Sequence, residues 1–142
     1  MRFVRLTVDD FRAIRRLDLE FGLGINVLHG PNDLGKSTVA AAIRAALLVP
    51  PSGTQADSFG SWFSGFSPCV ELTLVDGEGH WWKVKKTFSS ASASSAEMSH
   101  SKDGLTFTLD CKAREVEERL RALLAWGIPA PGGKGAPRGM PD

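Results

Sequence analysis

Residues Gly30-Pro31-Asn32-Asp33-Leu34-Gly35-Lys36-Ser37 constrain this chain more than any other stretch. They satisfy every fixed position of the pattern G-x-x-x-x-G-K-[ST]. Gly30 and Gly35 let the backbone curl so that successive N–H groups point inward at phosphate oxygens. A helix opening at the end of the loop adds its unpaired N–H groups and the positive end of its dipole. Lys36 would set a cation on the β- and γ-phosphates of a nucleotide, which makes it the candidate catalytic charge. Ser37 would offer its hydroxyl to a magnesium ion, a metal that takes few protein ligands and keeps several waters.

Such a loop needs a strand before it and a helix after it, and the sequence predicts both. Gly24-Ile25-Asn26-Val27-Leu28-His29 is a short, mostly apolar run suited to a buried strand. The residues after Lys36 are rich in good helix formers, and Val39, Ile43, Ala46 and Leu47 fall on one apolar face. Pro50-Pro51 stops that helix.

The chain has 142 residues, enough for one domain with a real core. Its net charge of +1 points to no nucleic-acid partner by itself, so a basic surface would have to be local. Cys69 and Cys111 lack metal-type spacing and read as free thiols in a reducing compartment. The start of the chain has no uninterrupted apolar signal segment, and no run approaches a membrane span. The expectation is a soluble, cytoplasmic protein with no membrane partner.

Ahead of the loop, residues 1–8 alternate as a strand, which Asp9-Asp10 is expected to break. A second alternating strand starts near Arg16, with Leu17, Leu19 and Phe21 on one face. Residues 49–68 read as a linker in which Trp62, Phe63 and Phe66 anchor the loop by burial. Phe63-Ser64-Gly65 is too incomplete for the Leu-Ser-Gly-Gly-Gln signature. Residues 69–88 read as a hairpin turning at Asp76-Gly77-Glu78-Gly79, which outweighs a D-x-x-G motif because both flanks alternate. Lys83, Lys85 and Lys86 read as solvated gatekeepers of that hairpin, with contact to a DNA backbone as the alternative. A further hairpin turns at Asp103-Gly104, and Asp110 caps a helix of about Lys112 to Trp126. Val116, Leu120, Leu123 and Leu124 form its apolar stripe, with Glu117 solvated. Residues 127–142, with five glycines and four prolines, hold no packed element.

Phe11-Arg12, then Leu17-x-Leu19-x-Phe21, then Gly24-Ile25-Asn26-Val27-Leu28-x-Gly30-Pro31-Asn32, resembles the N-terminus of SMC-like ATPases of the AAA/ABC type. That group includes RecF, the SbcC-type repair ATPases and the SMC proteins. The resemblance is closest over residues 1–48 and continues more weakly to about 126. It implies an α/β fold with α+β character: an ABC-type P-loop NTPase N-terminal lobe with mixed and antiparallel strands and two main helices. The lobe would span residues 1–126, and residues 127–142 would be a tail or a truncated connection.

The resemblance also implies a site. Arg12 would lie near the base or phosphates, where the residues alone suggest an exposed turn arginine. Asn32 matches the family's asparagine inside the loop, and Thr38 completes the nucleotide-binding set of Arg12, Gly30, Asn32, Gly35, Lys36 and Ser37. Asp33 departs from the usual small residue, and its charge repels phosphate unless it points outward. The cofactors implied are ATP and Mg2+. The partners implied are DNA, a second ATPase head in an ATP-dependent homodimer, and a nuclease. No aspartate–glutamate pair ends an apolar strand after the loop, and signature motif and switch histidine are absent from the sequence. In the family these sit in a C-terminal lobe. The reading is therefore the ATP-binding lobe of a protein coupling hydrolysis to DNA repair or chromosome handling, inactive by itself. The alternatives are an ABC transporter-type subunit and a remnant that no longer hydrolyses ATP. The chain has no tyrosine, so a tyrosine base-stacking platform is excluded.

Overall fold

The computed structural model describes residues 1–31, 35–90 and 92–124. Its frame is a six-stranded sheet in the order β2-β1-β3-β4-β5-β6. The strands are β1 (Arg2–Phe11), β2 (Ile14–Glu20), β3 (Cys69–Val75), β4 (Trp81–Thr87), β5 (Ser95–Ser101) and β6 (Thr108–Lys112). The helices are α1 (Lys36–Leu48), the short α2 (Thr54–Asp57) and α3 (Arg114–Leu124). Every neighbouring pair in the sheet is antiparallel. Of the mixed and antiparallel strands that the resemblance implies, the described residues hold antiparallel pairs, in an α/β lobe.

Alternation decides which face is covered. One row across the sheet runs Leu6, Leu72, Val84, Met98, and the next runs Val8, Val70, Lys86, Ala96. All eight are buried under α1 and α3. The opposite face carries Arg5, Glu71, Thr73, Lys83 and Lys85, with ion pairs Arg5–Asp18 and Lys83–Glu71. A one-faced antiparallel sheet of this kind shows the apolar-in, polar-out pattern that made β3 and β4 legible in advance.

Several expectations change. β1 does not break at Asp9-Asp10 but continues to Phe11, because Asp9 still pairs with Arg16 and Cys69 in the ladder. Asp10 sits at φ 52, a strained left-handed conformation that aspartate tolerates better than most residues. Asp110 lies in β6 and accepts from Arg119 rather than capping a helix; α3 starts at Arg114 instead. Trp126 and residues 127–142 lie outside the described residues.

The aromatic anchor of the 49–68 segment is Phe59, not the three expected residues. Phe59 stacks on Phe11 at 4.9 Å and meets Phe88 edge-on at 5.1 Å. Trp62, Phe63 and Phe66 are 71%, 55% and 76% exposed. Ring pairs such as these contribute about 0.5–1.5 kcal/mol each beyond their buried area. They tie the loop after α1 to the ends of β1 and β4.

The β3–β4 turn is held by the Asp76 carboxylate. It accepts from Trp82 Nε1 at 2.9 Å and from the N–H groups of Glu78 and His80. Those bonds, the indole's first, hold its pKa down at about 2, below the ordinary 3.8. A carboxyl with a depressed native pKa stabilises the fold above its unfolded value and loses that contribution as the pH falls through the native one. Denaturation curves should therefore show wild-type stability declining between about pH 4 and pH 2 in part through this group. Asp76→Asn should be less stable at pH 7 by about 1 kcal/mol and flatter across that window.

Candidate functional site

The phosphate-loop pattern sits at the mouth of α1. Gly35, the residue before the helix, has φ 81 and ψ 15, a left-handed conformation favoured by glycine, and has no side chain to cap the first turn. A Cβ built there would lie 3.4 Å from Ile14 Cγ1, so the loop closes directly onto the start of β2. Gly30 adds a second glycine conformation at φ 153. The Lys36 ammonium donates to Gly30 O at 2.7 Å and to Pro31 O, folding back over its own loop. Ser37 is exposed, whereas Thr38 is turned toward the core and is 7% exposed. Asn32 and Asp33 lie outside the described residues, as does Leu34.

Arg12 occupies the tight turn between β1 and β2 at φ 50. Its backbone bonds both ways to the loop after α2, through Arg12 N to Phe59 O and Trp62 N to Arg12 O. Its side chain donates from Nε to Ser58 O at 3.1 Å and lies over the Phe59 ring at 5.4 Å. Arg12 shares a cleft of about 290 Å³ with Ala41, Arg44 and Gln55. Ser37, Ala41 and Arg44 are spaced i, i+4, i+7, so that cleft flanks the helix face that begins at the phosphate loop. The turn arginine is therefore half-buried and held from two sides rather than loose in solvent.

The run expected as the strand before the loop is not one. Residues 24–29 form no strand, and Ile25, Val27 and Leu28 are 94%, 77% and 49% exposed. Asn26 folds its side chain onto Gly22 and Gly24 instead. An apolar strand needs a hydrogen-bonded neighbour and cover on both faces. β1 already has β2 and β3 on either side, and the sheet has cover on one face only. The local pattern is right for a strand, but no described strand pairs with it.

Lys86 is fully buried rather than solvated. Its ammonium donates to Val49 O at 2.9 Å and lies 2.6 Å from Glu117 Oε1. The contact with Glu117 is close but off-axis, an ion pair more than an aligned hydrogen bond. Burial pulls the Lys86 pKa down, and Glu117 opposes that. Glu117 thus faces the core, not water. The signal was present in the sequence: Lys86 shares the parity of Trp82, Val84 and Phe88 along β4. Lys83 is held by Glu71 at 3.6 Å and by the Phe107 ring at 4.3 Å, so of these lysines only Lys85 is plainly exposed.

A family model described as an AAA domain matches residues 5–122, most of the 142-residue chain. The chain belongs to this AAA domain family. Within it, the AAA domain described here is similar to a DNA double-strand break repair Rad50 ATPase of Methanopyrus kandleri. The two are 33% identical over 84 residues, 59% of this chain and 9% of the relative. It is also similar to a DNA replication and repair protein RecF of Magnetococcus marinus, 49% identical over 43 residues, 30% of this chain and 11% of the relative. The chain thus spans about a tenth of the curated relatives it matches. These matches agree with the SMC/RecF/SbcC-like resemblance and with a partial P-loop ATPase lobe. Both relatives are named as DNA repair proteins, the first as an ATPase. No helix among the described residues is long and apolar enough to cross a membrane.

The seat of Gly35 is open to direct test. Gly35→Ala adds a methyl to a residue in a left-handed conformation, so urea denaturation should show a loss of about 1–2 kcal/mol from backbone strain. An unchanged midpoint would mean that Gly35 does not hold that conformation.

Proposed function

We propose that this AAA domain is the ATP-binding N-terminal lobe of an SMC-like ATPase that couples ATP binding and hydrolysis to DNA repair or chromosome handling. The observation that carries the reading is the loop from Gly30 to Ser37 at the uncapped N-terminus of α1. The residues suit a nucleotide triphosphate: glycines at the two positions of positive φ, helix N–H groups without a side-chain cap, and one lysine amine. Lys36 would release its own loop carbonyls and turn to the β- and γ-phosphates. Gly30, Asn32 and Gly35 would shape the cradle, with Thr38 behind it. Ser37 would hold Mg2+, which when bound supplies charge neutralisation at the phosphates. Arg12, beside the same helix face, would add a second cation near the nucleotide.

Two features support the view that the lobe is completed by further structure. No aspartate–glutamate pair of the kind that positions metal and water follows the loop in the sequence. The apolar stretch leading into the loop is exposed at Ile25, Val27 and Leu28. Such a lobe alone binds ATP weakly and hydrolyses it little. It exposes surface that favours self-association. Full activity, head-to-head dimerisation, DNA and a nuclease partner then belong to the complete cytoplasmic protein, by analogy with the relatives.

A fluorescent-ATP titration with magnesium tests the reading. The wild type should bind, and Lys36→Ala should weaken binding about tenfold or more. Equal binding by the two proteins, or none by the wild type, would sink it.

A further inference from the structure

α1 must hold the phosphate loop at a fixed height above the sheet, and between Val39 and Leu47 its buried face is made of small residues. Ala42, Ala45 and Ala46 are all fully buried against the sheet. Short side chains let the helix backbone come close, but they make only shallow ridges in the middle of that face. The helix also lacks a basic residue in its last turn, where a cation would meet the negative end of its dipole.

The missing cation comes from the sheet. Lys86, at the centre of the row Val8, Val70, Lys86, Ala96, reaches Val49, the residue that ends α1. It donates to the Val49 carbonyl at 2.9 Å. The chain just beyond is fastened to the end of the same strand, through Ser89 N to Pro51 O at 3.0 Å. The second partner of the ammonium is Glu117 of α3, 2.6 Å away and itself mostly buried. Arg121, one turn along α3, is the other charge acting on Lys86. One buried ammonium therefore joins the far end of the phosphate-loop helix, the middle of the sheet and α3.

We propose that Lys86 is a positioning residue for the phosphate loop: with Glu117 it fixes α1 along its axis, so that the placement of α3 sets the geometry of the loop at the helix's other end. This rests on the nucleotide reading given above only for its effect on ATP; its effect on α1 stands apart from it. A buried ion pair contributes little net stability, and apolar replacement of both partners is often neutral or better. What it provides here is direction, which an alanine face does not.

The test is the double variant Lys86→Met/Glu117→Leu, read by three measurements. Its melting temperature should equal or exceed that of the wild type. Amide exchange at Val39, the first bonded amide of α1, and in the turn that follows it should be about tenfold faster, with β3 unchanged. Magnesium-ATP affinity should fall about tenfold, a coupling of about 1.4 kcal/mol. Unchanged exchange at Val39 and in the turn after it overturns the proposal. So does faster exchange spread evenly over α1 and β3 with a lowered melting temperature, since that is plain loosening of the core. If the double variant does not fold, Glu117→Gln carries the same exchange comparison, with a smaller rise of about threefold expected and no difference between α1 and β3 overturning the idea. Should Lys36→Ala bind ATP as well as the wild type does, the nucleotide reading fails, and exchange in α1 alone decides the inference.

Discussion

Ala42, Ala45 and Ala46 bring the backbone of α1 down onto β3, β1 and β4, and that close seating carries the rest of the lobe. Because the helix lies low, its first residue meets the β1–β2 turn, and Gly35 can close on Ile14. Because it ends over β4, a lysine from the sheet can reach its last carbonyl. The same placement sets its outer face, from Ser37 to Arg44, beside the cleft that Arg12 lines.

The two ends of that helix use different chemistry. At the N-terminus the unpaired N–H groups favour an anion, and no side chain caps them. Just past the C-terminus a buried ammonium meets the carbonyl of the capping residue, Val49, balanced by a carboxylate from α3. Between the ends the contact is apolar, with Val39 and Leu47 buried on either side of the alanines. Charge at both termini thus complements the helix dipole, with the protein supplying one side and leaving the other for a ligand.

The aromatic cluster of Phe11, Phe59 and Phe88 performs a related task for Arg12. It brings the loop after α2 against the turn between β1 and β2. Backbone bonds to Phe59 and Trp62 then hold that turn at a positive φ that an arginine rarely adopts. Conformational strain of this sort, about 1 kcal/mol or more, persists only where neighbours over-determine it. It is concentrated here beside the phosphate loop.

Much of this was legible in the residues themselves. Alternation along Val70-Glu71-Leu72 and Trp82-Lys83-Val84 determined the hairpin and its faces, because side-chain direction in a strand depends on parity alone. The glycine spacing and Lys36-Ser37 determined the loop, because its backbone needs conformations open mainly to glycine. Tertiary structure decided what depends on distant neighbours. Ile25 to Leu28 has the composition of a buried strand, but a strand forms only where another offers hydrogen bonds and cover. Lys86 carries a charge that reads as surface, but its parity puts it in the core, where a helix-end carbonyl 37 residues away and Glu117 receive it. Local pattern sets which way a side chain points; only the assembled fold determines what it meets there.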